Sequence, residues 1–152
     1  MKDRTVTHAT FTLERTYDAA PERVFAAWSK KDAKAPWFLG PNWEPQWEYE
    51  LDFRIGGTEI NRRQVPDGRT STYDACFLDI VPAERIVYSY DMHIGGERIS
   101  VSLVTVELRT EGGRTHLTYT EQGAFLDGLD EPAWREQGTS DQLDALGALL
   151  AG

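Results

Sequence analysis

The stretch "LTYTEQGAFLDG", Leu117 to Gly128, sets a carboxylate where chemistry can follow. Strand alternation puts Leu117, Tyr119 and Glu121 on one face and Thr118, Thr120 and Gln122 on the other. A row that turns Leu and Tyr toward a core should not continue with a bare carboxylate. Burying an unpaired ionised Glu is costly, and such a group tends to take a proton instead. Two fates are open to Glu121. Facing an enclosed pocket, desolvation raises its pKa toward neutrality and, with Tyr119 nearby, equips it as a general acid or base on a bound carbonyl compound. Meeting Arg15 or Arg63, it is a structural ion pair.

Other chemistries find little support. His8, His93 and His116 are scattered without ligand spacing, and Cys76 stands alone, so no metal is expected. "GGTEIN" and "EGGRT" are glycine turns between strands, not the strand-to-helix cradle that holds a phosphate, and no cofactor is expected. No Ser occupies a G-x-S-x-G elbow. Lys30, Lys31 and Lys34 read as a solvated basic helix face.

With 152 residues the chain is expected to form one domain, residues 1–152, with a sizeable core. Its 25 acidic against 16 basic side chains leave a net charge of −9, which repels phosphate backbones and anionic membranes. No nucleic-acid or membrane partner is expected. "MKDRTVTHATF" lacks the apolar segment of a secretory signal, and a lone Cys76 suits a reducing compartment, so the expected location is the cytoplasm. Five Trp, six Tyr and six Phe provide either a large aromatic core or a ring-lined cavity.

These residues need elements to hold them. "HATFTLERTY" alternates as a strand. "AAPERVFAAW" reads as a helix with Pro21 in its first turn and Val24, Phe25 and Trp28 on one face. "SKKDAKAPWFLGPNWEP" is a second short helical piece, broken by Pro36 and by Gly40-Pro41. Six strand-like segments follow: "QWEYELDF", "TEINRRQV", "TSTYDACFLDIV", "RIVYSYDM", "RISVSLVTVEL" and "THLTYTEQ". Turn signals rich in Gly, Pro and Asp separate them, the pattern of an antiparallel meander. From about Pro132 to Leu150 the spacing becomes helical, with Leu143, Leu146 and Leu150 in a stripe and Thr139 with Gln142 as a candidate capping box. Gly138 and Gly147 weaken that helix by about 1 kcal/mol each relative to Ala, so each needs a packing reason.

This order resembles the START-like helix-grip fold of the SRPBCC superfamily. "AAPERVFAAW" resembles its first helix, "ELDFRIGG" its second strand and turn, "FLDIVPAERIVYSYDM" its fourth and fifth strands, and "SDQLDALGALLA" its last helix. Together they are similar to the branch named for the activator of the heat-shock protein 90 ATPase and its single-domain bacterial homologues. The resemblance implies an α+β fold: a curved seven-stranded antiparallel sheet wrapped around a long C-terminal helix, two short helices between the first and second strands, and a cavity between sheet and last helix. Two departures are visible. Gly138 is followed by Thr139 where the family often has Trp, and the third strand offers Glu59 and Asn61 where aromatics usually point inward.

The inward faces so implied are Trp47 and Phe53, with Tyr49 and Leu51, on the second strand; Glu59, Asn61 and Arg63 on the third; Tyr73 and Phe77 on the fourth; and Tyr88, Tyr90 and Met92 on the fifth. The last strand adds Tyr119, Glu121 and Phe125, and Trp28 and Trp37 complete the expected lining. Glu121 and Glu59 are the candidate catalytic groups. Three functions follow from the resemblance: binding of a small apolar or aromatic molecule, cyclase or dehydratase chemistry, or a chaperone partnership in the stress response. A homodimer is left open.

Overall fold

Alternating β-branched and aromatic residues make the first element a strand, β1 (Val6–Tyr17), in the computed structural model, which describes residues 3–152. Pro21 then starts α1 (Pro21–Ser29), its fixed φ already helical and its missing N–H no loss at a first turn. In α2 (Lys31–Phe38) the helix runs through Pro36, contrary to the break expected there. In so short a helix Pro36 forfeits one backbone bond, and the chain leaves the helix only at Leu39 and Gly40, the latter at φ 92°.

Six antiparallel strands follow: β2 (Glu48–Leu51), β3 (Thr58–Gln64), β4 (Thr70–Val81), β5 (Arg85–Ile94), β6 (Glu97–Glu111) and β7 (Arg114–Leu126). The seven-stranded sheet has the order β1-β7-β6-β5-β4-β3-β2, so the meander closes by pairing its last strand with the first. The β2–β3 connection depends on Gly57, where an added Cβ would lie 2.1 Å from the Asp52 carbonyl oxygen. At the β5–β6 hairpin, Gly95 and Gly96 take φ of 61° and 83°, the left-handed pair that suits a tight hairpin. Strand β2 is shorter than "QWEYELDF" suggests, and Trp47 and Phe53 lie outside it.

The curved sheet grips α3 (Pro132–Ala151), whose Thr139, Leu143, Leu146 and Leu150 are buried. This is an α+β helix-grip fold. Thr139 is not at the start of the helix. Pro132 begins α3, the Thr139 hydroxyl donates to the Arg135 carbonyl, and the Gln142 amide donates to the Phe38 carbonyl, tying α3 to α2. Tyr17 Oη donates to the Leu143 carbonyl at 2.8 Å and so fastens β1 to the same helix. Gly147 lets helix and strand approach closely: a Cβ there would lie 3.1 Å from the Tyr17 ring. Within the described residues no helix is long and apolar enough to cross a membrane.

Candidate functional site

Glu121 and Glu59 are both fully buried, and each has an answer to the cost of burial. Strand β7 turns Glu121 inward beside Tyr119, whose hydroxyl donates to Oε1 at 2.7 Å. Tyr90 of β5 and Ser102 of β6 donate to Oε2 at 2.6 and 2.7 Å. The fourth partner is Arg135 of α3, at 3.4 Å from Oε2. Neither Arg15 nor Arg63 fills that role. Arg15 binds Asp144 and Ser140 on α3, and the Arg63 guanidinium lies over the Trp47 ring, 4.8 Å from its centroid.

Arg135 is itself held on several sides. It donates to the Tyr90 oxygen at 3.0 Å, to Ser100 at 2.8 Å and to Asp130 at 2.7 Å. Burial works against its charge, but the Tyr90 oxygen, Glu121 and Asp130 together outweigh burial and raise its pKa. It also faces the ring of Phe125, whose centroid is 5.2 Å away. Burial raises the pKa of Tyr90, with Glu121 adding to the shift and Arg135 opposing it. Carboxylate, hydroxyls and guanidinium thus form one saturated network joining sheet to helix.

The second carboxylate is paired by a residue expected at the surface. Lys34 of α2 is fully buried, not part of a solvated face, and its Nζ lies 2.7 Å from Glu59 Oε1. Tyr49 Oη donates to Oε2 at 2.6 Å. Aromatic rings close over the ammonium, with Phe38 at 4.5 Å and Trp28 at 5.3 Å to centroid. Desolvation lowers the Lys34 pKa, and Glu59 opposes that shift. The polar departure at Glu59 is met by a buried cation from the neighbouring helix.

Between these two ion pairs, bounded by α1–α2, the sheet and α3, lies a cavity of about 380 Å³. Of the residues expected to line it, Trp28, Trp37, Asn61, Tyr73, Tyr88, Tyr90, Met92 and Tyr119 do so. Trp47 instead borders a separate hollow with Arg62 and Arg63. Phe53 and Phe77 pack against each other at 4.9 Å, with Phe25 on the far side of Phe53, in the core below. Glu59, Glu121 and Phe125 sit behind the wall, occupied by the contacts described above.

Sequence reasoning missed much of the α3 side of the cavity: Trp134, 69% exposed at its rim, Arg135 and Gln142. A signal was present. Arg135, Thr139 and Leu143 are spaced by four, so the buried stripe carried one turn back reaches Arg135. Gly138 borders the cavity, but a Cβ at that position would meet nothing within 4 Å, so no contact demands glycine there.

Three buried polar atoms in the described residues have no hydrogen-bond partner: Trp28 Nε1, Asn61 Oδ1 and Tyr73 Oη. All three belong to residues that line this cavity. Buried polar groups are nearly always satisfied, so the grouping of these three atoms around one cavity needs an explanation.

Known proteins place this architecture. A family model described as "Activator of Hsp90 ATPase homolog 1-like protein" matches residues 18–151. A solved structure of an uncharacterized protein from Rhizobium leguminosarum is 45% identical, with 99% of each chain covered and a TM-score of 0.94. A protein from Rhizobium loti is 48% identical over 95% of this chain and 98% of its own, with a TM-score of 0.88. At 24% identity, a Chromobacterium violaceum protein covering 94% of this chain and 97% of its own, TM-score 0.75, shares the fold alone. No curated protein matches the chain. The match over nearly the whole chain shows that it belongs to the family of activator of Hsp90 ATPase homolog 1-like proteins.

Proposed function

We propose that this protein binds a small apolar or aromatic molecule in the cavity between the sheet and α3. The observation that carries the reading is the coincidence of a ring-lined space of about 380 Å³ with three unsatisfied polar atoms on its lining residues. Ligand sites combine this kind of apolar enclosure with a few polar groups that fix orientation. Burial without a partner costs each such group about 1–3 kcal/mol, which a ligand's own donors and acceptors would offset.

The two buried carboxylates support this role rather than catalysis. Glu121 is occupied by three hydroxyls and Arg135, and Glu59 by Lys34 and Tyr49, so neither presents a free oxygen to a bound molecule. They act as braces that hold Tyr90, Tyr119 and Tyr49 in position. Native mass spectrometry of the purified protein, followed by a thermal-shift screen of apolar and aromatic compounds, tests the reading. A copurified or stabilising compound displaced by cavity-filling substitutions supports it. Turnover of that compound would convert it to an enzyme function. A screen without any stabilising compound, combined with stimulation of an Hsp90 ATPase by the pure protein, would replace it with the activity named in the family's description.

A further inference from the structure

The cavity wall is not uniform. On β3 and β4, Asn61 stands opposite Tyr73 and Arg63 opposite Ser71, and all four side chains line the cavity. Two of the three unpartnered polar atoms, Asn61 Oδ1 and Tyr73 Oη, belong to this quartet, and Tyr73 is 9% exposed. The rings of Trp28, Trp37 and Tyr119 line the same cavity. The cavity therefore joins this polar quartet to a set of aromatic rings.

Charge sets this quartet apart. Lys34 is committed to Glu59, and Arg135 to Glu121 and Asp130. Arg63, among the described residues, has no carboxylate within ion-pair distance, and its guanidinium lies over the Trp47 ring. In a chain with 25 acidic and 16 basic side chains, a half-buried arginine without an acid at a cavity edge is a conspicuous exception. Guanidinium presents paired donors in the geometry of a carboxylate, and the Tyr73 and Ser71 hydroxyls add donors beside it.

Resting on the ligand-binding reading above, we infer that the cavity selects an aromatic molecule carrying a carboxylate, its ring against Trp28 and Trp37 and its carboxylate held by Arg63, Ser71 and Tyr73. Asn61 Oδ1 accepts from a hydroxyl or amine borne next to that carboxylate. The net negative charge of the protein repels anions in general, so selection rests on this one local cation.

The test uses 2-naphthoic acid and its neutral analogue 2-acetonaphthone, titrated calorimetrically into the full chain at neutral pH. The acid should bind about tenfold more tightly than the ketone, as expected for a charge-assisted contact. Arg63→Met should abolish that preference by weakening the acid alone, and Arg63→Lys should keep part of it. Arg62→Met, which removes the neighbouring guanidinium paired with Glu48, should keep all of it. The ketone titration also reports that each variant has folded. Equal binding of the two probes, or a preference that survives Arg63→Met, overturns the anion subsite and leaves the cavity function standing. Failure of both probes to bind the unaltered protein overturns the inference, and the screen described above then decides the binding reading separately.

Discussion

The ammonium of Lys34 lies 2.7 Å from the carboxylate of Glu59, and neither side chain reaches solvent. Removing one partner of such a pair strands the other charge in a low-dielectric interior. Lys34→Met should therefore cost about 3–5 kcal/mol by denaturant unfolding. Adding Glu59→Gln, which keeps an acceptor for Tyr49, should return a large part of that loss. A single-variant cost below about 1 kcal/mol would mean that water reaches the pair.

Glu121 receives only donors: three hydroxyls and a guanidinium. Glu121→Gln sets an amide N–H among them and takes one carboxylate from Arg135. The variant should lose about 1–3 kcal/mol near neutral pH while still binding whatever compound stabilises the parent protein. A stabilised variant with binding abolished would show instead that the carboxylate serves the ligand directly.

All six tyrosines of the chain, Tyr17, Tyr49, Tyr73, Tyr88, Tyr90 and Tyr119, have pKa values raised above 10.0, in every case chiefly by burial. Above pH 10 the unfolded chain releases these protons and the native state keeps them. The stability they support is full below that pH and falls as pH rises toward the folded values. Each tyrosine removes about 1.4 kcal/mol per pH unit, so the set removes roughly 8. Against a total stability of about 5–15 kcal/mol, the protein should unfold cooperatively near pH 11. Tyrosinate absorbance should appear together with the loss of circular dichroism. Smooth titration of the phenols in a still-folded protein would contradict their burial.

Gly138 offers a direct test of the cavity. Gly138→Ala meets no clash and should gain about 0.5–1 kcal/mol through helix propensity. Gly138→Leu projects a larger side chain into the same space and should weaken a cavity ligand by about tenfold or more, without unfolding the protein. Unchanged affinity in the leucine variant would move the ligand elsewhere.

Much of the fold was legible because strand facing is a local property with period two. The row Leu117, Tyr119, Glu121 is visible in the sequence and buried in the structure, and even the Tyr119–Glu121 hydrogen bond joins neighbours on one strand. The leucine stripe of α3 and the turns at Gly95-Gly96 follow from equally local patterns. What answers each carboxylate was not legible in this way. Lys34 reads as one of three surface lysines until α2 packs it against β3, 25 residues away, under Phe38 and Trp28. Arg135 belongs to a helix with its own polar surface until the sheet curls around α3 and brings it to Tyr90 and Glu121. The cavity depends on the same docking, since its wall is shared among both short helices, four strands and α3. Periodicity determined which way each side chain points, but the partner across the gap was decided by how far helix and sheet approach, a balance of packing over the whole chain that no local pattern encodes.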